Sequence, residues 1–361
     1  MENKKQYIYG LDGLRAISML MVMMFHFTSY LLPELTGTGK YLGGFFSVGW
    51  AGVDVFLVIS GYLISEILSK RSVSSFSDFN LFIFGRLKRL FAPYLVVVVI
   101  ISFASFFILG SDKLLGNTWT LWTLFSNVFS SFYDRGGLSN NYFALFHLWS
   151  IALEIHFYVI FSVAFIFIRN RAVFSIAMII VAILFRVALG KYYALDNAVY
   201  SFTFCRIDAF AIGVLASVIK SKRRDFGYKP AILGGFLLII TLAGFYSAGF
   251  GFKRIEWIQV YGYTLFDVAI GLIVYHVVTS GKGTFPNQIL ENNYLKWIGV
   301  RSYSFYLWHL PLYPAFLVFS RSMAHSGPYI VVIALTMGIG FTFAAGLASY
   351  SLFEKRFTTR R

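Results

Sequence analysis

The chain has 361 residues, of which 58% are hydrophobic, 20% aromatic and only 13% charged. About a quarter of the residues in an average soluble domain are charged, so the composition excludes an ordinary soluble protein and indicates a surface that mostly faces lipid. The net charge of +15 is typical of membrane proteins, which keep lysine and arginine in their cytoplasmic loops. No nucleic-acid-binding motif accompanies it. We therefore expect a single membrane domain over residues 1–361 that contacts the lipid bilayer and binds no nucleic acid.

Ten stretches are long and apolar enough to cross a bilayer, which takes about 20 mostly apolar residues. In chain order they cover residues 13–32, 44–67, 91–109, 145–168, 173–189, 202–219, 231–249, 259–279, 298–320 and 329–353. The stretch 117–132 is apolar but short and interrupted by serine and threonine, which favours an interfacial or re-entrant helix. The predicted fold class is all-α, a polytopic bundle of about ten transmembrane helices.

The loop charges predict the orientation of this bundle. If the N-terminus lies inside, twenty of the 31 lysines and arginines fall in cytoplasmic segments, seven fall in the opposite loops and four lie in or at the helices. This bias predicts that both termini are cytoplasmic, with residues 354–361 as a short basic cytoplasmic tail. No small-residue cleavage site follows the first apolar stretch, so we expect it to stay as an uncleaved spanning helix.

Arg15 and His26 are the first ionisable pair inside a predicted span, where charged residues are costly and mark function by default. Their separation of eleven residues is close to three helical turns, so both side chains share one helix face, with a rise of roughly 16 Å between them. A long, thin substrate lying along this helix could touch both. The spacing fits equally a snorkelling arginine and a hydrogen-bonded core histidine.

Asp54 lies in the outer part of the second predicted helix, at a depth comparable to that of His26. A carboxylate at this depth could orient the histidine ring and stabilise its protonated form. The alternative is a carboxylate that faces the outer headgroups.

Segments in order along the chain resemble the acyltransferase-3 family of bacterial membrane acyltransferases. They are Tyr9-Gly-Leu-Asp-Gly-Leu-Arg15 with His26, Gly52-Val-Asp-Val-Phe-Leu-Val-Ile-Ser-Gly-Tyr-Leu-Ile64, Arg86-Leu-Lys-Arg89-Leu-Phe-Ala-Pro-Tyr94, His147-Leu-Trp-Ser-Ile-Ala-Leu-Glu154-Ile-His156-Phe-Tyr158, Arg206-Ile-Asp208 with Gly213, Ser302-Tyr-Ser-Phe-Tyr-Leu-Trp-His309-Leu-Pro311 and Glu354-Lys-Arg-Phe357. One departure is that Ile155 and His156 replace the second acid and the glutamine that usually follow Glu154 in the family. We expect a standalone membrane domain without an appended hydrolase-like domain.

The resemblance implies transfer of an acyl group, often acetyl, from cytoplasmic acyl-CoA to a hydroxyl of a cell-envelope glycan, by a multi-pass protein of the bacterial cytoplasmic (inner) membrane. Acyl-CoA would be a donor substrate and not a permanently bound cofactor. Arg86 and Arg89 share a helix face and could clamp its phosphates, although the same pair fits a positive anchor for the third helix. Arg15 would meet another phosphate or the pantetheine arm. His26 would lie near the thioester, as general base or as acyl-carrying nucleophile.

Glu154 lies in the fourth predicted helix, on the face of His147 and Ser150. A buried carboxylate there needs a partner. It could hold His26, bind the sugar or pair with an intramembrane arginine, and a purely structural ion pair is the alternative.

The remaining candidates are substrate-binding residues of the later helices. Tyr306 and His309 are three residues apart and could line the same cavity, as could Arg206 and Asp208, although residues at i and i+2 do not face each other. We expect no metal site, because no two histidines show ligand spacing on one helix and a cysteine pair is absent from the sequence.

A transporter or a subunit of an export complex, for a polysaccharide or a small acid, is the alternative function. Charged intramembrane residues also mark transport pathways, but the sequence has no matching pair of Gly/Pro-broken helices in two halves. The acceptor sugar, its hydroxyl position and the acyl chain are left open by the sequence, and a homo-oligomer is compatible with it.

Overall fold

The structure, a computed structural model, describes residues 8–37, 39–70, 76–110, 113–133, 136–222, 226–324 and 327–358. Within these ranges the chain is helical apart from turns and one isolated β-bridge between Ser139 and Ala144. The nine long helices are α1 Leu11–Leu31, α2 Gly52–Lys70, α3 Phe76–Leu109, α4 Trp149–Phe167, α5 Arg171–Arg186, α6 Thr203–Ser221, α7 Lys229–Ala248, α8 Tyr263–Thr279 and α9 Gly327–Ser349.

Each long helix belongs to one of nine segments in the described ranges that are long and apolar enough to cross a membrane. This confirms the prediction of an all-α, polytopic membrane bundle. Short helices and helical turns connect the long ones. They cover Leu32–Glu34, Gly39–Phe46, Gly49–Ala51, Lys113–Asn117, Trp119–Trp122, Ser126–Phe132, Gly136–Leu138, Phe146–Leu148, Val187–Tyr192, Asp196–Ser201, Gly249–Arg254, Ile258–Gly262, Asn287–Leu290, Asn293–Val300, Ser302–Trp308, Tyr313–Met323, Tyr350–Glu354 and Lys355–Thr358. The stretch 117–132 is therefore not a continuous span, in agreement with the sequence analysis.

The predicted span 298–320 is wrong as a single helix, because the chain breaks between Trp308 and Tyr313. Pro311 lacks a backbone N–H and disfavours helical backbone at the residue before it. The break is buried in protein, where irregular backbone is tolerated at membrane depth, and the Pro311 carbonyl accepts a hydrogen bond of 3.1 Å from the Ala144 amide. His309 consequently lies at the end of a short helix.

The helices α2 and α6 approach each other closely through two glycines. A Cβ atom added to Gly61 would lie 2.1 Å from the Phe210 carbonyl oxygen, and one added to Gly213 would lie 2.0 Å from the Val58 carbonyl oxygen. Small residues permit such backbone contact between membrane helices. The crossing holds the two helices that carry Asp54 and Arg206 side by side.

The C-terminal segment differs from its prediction. Glu354, the first residue of the expected basic tail, is buried inside the bundle, and the helix Lys355–Thr358 follows directly after it. Residues 359–361 of that tail lie outside the described residues, as do residues 1–7. The cytoplasmic placement of both termini stays a prediction.

Candidate functional site

A cleft opens between α1, α2, α3, α4 and the helix Ser302–Trp308, with about 660 Å³ of empty space including the part open to solvent. We call it the arginine cleft. Its polar lining residues are Arg15, Ser60, Arg86, Arg89, Ser150, Glu154, Tyr158, Ser302, Tyr303 and Tyr306. The structure thus brings together all three arginines that the sequence analysis assigned to acyl-CoA, along with Glu154 and Tyr306.

The two arginines of α3 have different surroundings. Arg89 is buried, and its Nη2 lies 3.2 Å from Oε1 of Glu354, whose other oxygen accepts a 2.9 Å hydrogen bond from Ser304. The Arg86 guanidinium is half-buried and lies 5.6 Å from the centre of the Tyr158 ring. Arg89 is therefore engaged in a structural ion pair with the C-terminal segment, whereas Arg86 lines the cleft beside the Tyr158 ring.

Glu154 lines the arginine cleft from α4. Its Oε1 accepts a hydrogen bond of 2.7 Å from Ser60 and a second hydrogen bond from the Tyr158 hydroxyl. Ser150, which the sequence placed on the same face, instead bonds the Tyr306 hydroxyl at 2.6 Å. Glu154 is thus held by hydroxyl donors within a cleft that also contains arginines.

Tyr306 connects the arginine cleft to a group of histidines. Its hydroxyl lines the cleft and donates a 3.0 Å hydrogen bond to the His147 carbonyl. Its own carbonyl oxygen lies 2.6 Å from Nδ1 of His309, and Nε2 of His309 lies 2.9 Å from Nδ1 of His26. One tyrosine therefore joins the two parts of the site.

The direction of these hydrogen bonds follows from the Tyr306 carbonyl, which can only accept. His309 must carry its hydrogen on Nδ1, and a neutral His309 then presents a lone pair at Nε2. His26 then donates from Nδ1, which leaves the lone pair of a neutral His26 on Nε2. The chain Tyr306–His309–His26 thus defines which nitrogen of His26 is basic.

His147 is a third member of this group, and the sequence analysis assigned it no role. Its ring centre lies 4.9 Å from that of His309, and its Nε2 lies 3.3 Å from the Leu307 carbonyl oxygen. The side chain is fully buried. The only sequence signal for it is the histidine at the start of the matched segment 147–158.

Asp54 occupies a different environment from the predicted one. Its fully buried carboxylate forms an ion pair with the equally buried Arg206 of α6. The Arg206 guanidinium also lies 4.2 Å from the centre of the Tyr263 ring. The carboxylate that the sequence analysis assigned to His26 is therefore engaged by Arg206, and His309 is the group that bonds Nδ1 of His26.

Asp208 forms a second buried ion pair next to the first. Its Oδ2 lies 2.8 Å from Nη2 of Arg186 and accepts a 2.6 Å hydrogen bond from Thr264. Asp267 is also fully buried nearby, and among the described residues neither of its carboxylate oxygens has a hydrogen-bond partner. The sequence analysis assigned no role to Arg186 or Asp267, although charged residues inside spans are the signal that marks them.

Arg206 and Asp208 are absent from the described lining of the arginine cleft. Because each pairs with a residue of another helix, they join α2, α5, α6 and α8 into one polar core. Their position away from the cleft therefore does not support the predicted role in substrate binding.

Comparisons with known proteins identify the family of the chain. The model of the acyltransferase-3 family, described as an acyltransferase domain, matches residues 8–349. The chain is 28% identical to a candidate O-acetyltransferase of Staphylococcus aureus (strain COL) over 98% of this chain and 58% of that protein. It is 27% identical to the O-acetyltransferase OatA of Staphylococcus aureus (strain NCTC 8325 / PS 47) over 92% of this chain and 55% of OatA.

The chain thus spans a little more than half the length of these curated relatives. No solved structure matches the chain. Since the family match covers nearly the whole chain and includes the cleft and the histidine group, the chain belongs to the acyltransferase-3 family of acyltransferase domains.

Proposed function

We propose that the chain transfers an acyl group, acetyl in the first instance, from acyl-CoA to a hydroxyl of a cell-envelope glycan. The observation that carries this proposal is the chain of hydrogen bonds from Tyr306, at the arginine cleft, through His309 to His26. These hydrogen bonds link a cleft that suits an anionic donor to His26, whose donor and acceptor nitrogens they define. Membership of the acyltransferase-3 family and the O-acetyltransferase names of the relatives support the reaction class.

The arginine cleft suits the donor. Arg15 and Arg86 line it, and guanidinium groups bind phosphate with paired, charge-assisted hydrogen bonds. Arg15 and His26 lie on the same continuous helix, about 16 Å apart along its axis. We propose that the phosphates of acyl-CoA bind at the arginines while the pantetheine arm extends along α1 and presents the thioester to His26.

The chemistry uses the Nε2 lone pair of His26. As general base, Nε2 takes the proton of the acceptor hydroxyl while its oxygen attacks the thioester carbon. The C–O bond forms, the C–S bond breaks, and the proton then passes from His26 to the departing CoA thiolate. His309 accepts the Nδ1 hydrogen throughout, and so it holds the ring and helps the imidazole to bear the positive charge.

A nucleophilic role for His26 would use the same atom. Nε2 would attack the thioester carbon, the C–S bond would break, and CoA would leave as its thiolate. The acceptor hydroxyl would then attack the acyl group on Nε2, the N–C bond would break, and the hydroxyl proton would pass to the freed Nε2. Incubation of the protein with acetyl-CoA in the absence of acceptor separates the two roles. Acetyl retained on His26, detected by mass spectrometry, identifies the nucleophile, whereas unmodified protein that turns over only with acceptor identifies the base.

The test of the proposed function is acetyl-CoA consumption by the purified protein in lipid vesicles with an envelope glycan acceptor. Turnover that depends on the glycan, together with a new O-acetyl group on it, supports the proposal. Movement of glycan or small acid across the vesicle without CoA release would instead identify a transporter. Mass spectrometry of envelope glycans from cells with and without the protein identifies the sugar and the hydroxyl.

A further inference from the structure

A second cleft lies away from the arginine cleft, between the C-terminal ends of α2 and α6 and the beginning of α5. It contains about 970 Å³ of empty space including the part open to solvent. We call it the α5 cleft. The C-terminal ends of α2 and α6 and the beginning of α5 adjoin segments that the loop charges assign to the cytoplasmic side. Three cations, Arg169, Arg171 and Lys222, are among its lining residues.

Arg171 is fixed in place by its neighbours. Its guanidinium lies 4.4 Å from the centre of the Phe165 ring and donates a hydrogen bond to the Ser69 hydroxyl. Arg169 and Lys222 are exposed at the rim of the cleft. A guanidinium held by an aromatic ring and a hydroxyl is oriented before any ligand arrives, which lowers the entropy cost of binding.

The single carboxylate among the lining residues is already neutralised. Glu66 lies 3.3 Å from Nζ of Lys220, and its other oxygen accepts a 3.1 Å hydrogen bond from Ser217. Lys220 also donates a 2.6 Å hydrogen bond to the Tyr62 hydroxyl. Among the described lining residues, no other carboxylate offsets the three cations, so this lining is positive.

Ser65 provides an independent indication of a ligand. Only 1% of this residue is exposed, it lines the cleft, and its Oγ has no hydrogen-bond partner among the described residues. A serine inside a helix commonly bonds the carbonyl four residues earlier, and buried polar groups in native proteins have partners. An acceptor in the cleft would supply the missing partner. Arg171 and Ala172, in the first turn of α5, also line the cleft, and amides of a first helical turn have no intrahelical acceptor, whereas the Val173 amide is capped by the Asn170 side chain.

From these contacts we propose that the α5 cleft binds a phosphate group. Arg169, Arg171 and Lys222 supply charge-assisted donors, and Ser65 supplies a buried hydroxyl donor. The phosphate belongs either to the headgroup of an anionic phospholipid or to a small soluble phosphate. This inference does not rest on the proposed function, because binding is measured without acyl transfer.

The test uses the whole protein in detergent and a fluorescent phosphatidylglycerol as probe. The variant Arg169→Gln/Arg171→Gln removes two charges from the cleft, and Lys229→Gln/Lys282→Gln removes two exposed charges elsewhere on the same predicted side of the bundle. Because charge-assisted hydrogen bonds to phosphate are stronger than neutral ones, we expect the Kd to rise about tenfold or more in the first variant and to stay within about twofold in the second. Ser65→Ala should weaken binding without changing the charge.

Two further probes identify the source of the phosphate. Displacement of the fluorescent lipid by millimolar inorganic phosphate identifies a soluble phosphate, whereas its retention together with weak binding of phosphatidylcholine identifies an anionic headgroup. Equal phosphatidylglycerol affinity in the wild type, in Arg169→Gln/Arg171→Gln and in Ser65→Ala would overturn the proposal. If the double variant does not fold, Lys222→Gln and Ser65→Ala make the same comparison.

Discussion

Nδ1 of His26 and Nε2 of His309 lie 2.9 Å apart, although 283 residues separate the two histidines in the chain. The Tyr306 carbonyl holds the other nitrogen of His309, so His309 accepts and His26 donates. In the serine-protease triad a carboxylate accepts the hydrogen bond from Nδ1 of the catalytic histidine. Here His309 takes the place of that carboxylate at Nδ1 of His26. His309 is a positioning residue for His26 in the proposed reaction.

Replacement of His309 tests this role. In His309→Ala the Nδ1 hydrogen of His26 loses its acceptor, and we expect kcat to fall about 10- to 100-fold, the range for hydrogen-bond partners that orient metal-ligating histidines. In His309→Gln the amide oxygen can accept from His26, so part of the rate should return. The pH dependence of kcat should differ among wild type, His309→Ala and His309→Gln. A His309→Ala enzyme with wild-type kcat and pH profile would contradict this role.

Asp54 should behave as a structural residue. Asp54→Asn leaves the buried Arg206 without its counter-charge, which costs about 3–5 kcal/mol in buried pairs. We therefore expect a marked loss of monodisperse protein in size-exclusion chromatography and a lower melting temperature. Glu256→Gln is the matched control, because the Glu256–Lys191 pair is exposed and exposed pairs contribute little. Normal folding of Asp54→Asn together with a lost rate and a shifted pH profile would instead make Asp54 catalytic.

Substitutions of Arg86 and Arg89 should have different effects, although the two arginines are only three residues apart. Arg89→Gln removes the guanidinium that pairs with the buried Glu354 and should destabilise the protein by about 3–5 kcal/mol. The double variant Arg89→Met/Glu354→Leu should recover stability, because an apolar pair can replace a buried ion pair. Thermal melting in detergent measures both. Equal melting temperatures for Arg89→Gln and the wild type would show that the pair contributes nothing to folding.

Arg86→Gln should fold normally and raise the KM for acyl-CoA. The loss of one charge-assisted phosphate contact, about 1.5–3 kcal/mol, corresponds to a rise of roughly ten- to a hundredfold. The kcat should change less than the KM, because Arg86 lies at the cleft and not at the histidines. An unchanged KM in this variant would remove Arg86 from the donor site.

The glycine crossing of α2 and α6 gives a prediction that concerns folding alone. An added Cβ on Gly213 meets backbone 2.0 Å away, whereas one on Gly235 in α7 meets nothing within 4 Å. Gly213→Ala should therefore lower the melting temperature, with overpacking costs of about 1–3 kcal/mol. Gly235→Ala should be neutral or stabilising, since alanine favours helix by up to about 1 kcal/mol over glycine. The opposite order of melting temperatures would contradict the close crossing.

The helices could be predicted because lipid requires about 20 apolar residues for each span. The prediction failed at 298–320. The apolar character of the sequence continues through Pro311, but the helical backbone is interrupted there. The Gly39–Phe46 helix is a second example. The apolar sequence runs on from this helix into α2, yet the helix ends before Gly49. Apolar composition alone does not locate a break within an apolar run.

Buried charges could be recognised from the sequence, but their partners could not. Asp54 is flagged by its place in a span, yet its choice of Arg206 over His26 depends on the crossing of α2 and α6. Likewise, Arg89 and Glu354 lie 265 residues apart. Helical spacing reports only which residues of one helix share a face, so contacts between helices required the folded structure.

Acetyl-CoA turnover by the reconstituted protein, with an envelope glycan acceptor, measures the role of His26 most directly. His156→Gln is the matched control, because His156 bonds Thr203 at 2.9 Å and is not among the described residues of the arginine cleft. We expect His26→Ala to fold and to lose about 10²- to 10⁴-fold in kcat, the contribution of a general acid–base group, while His156→Gln keeps its rate. Wild-type turnover by His26→Ala would contradict a catalytic role for His26.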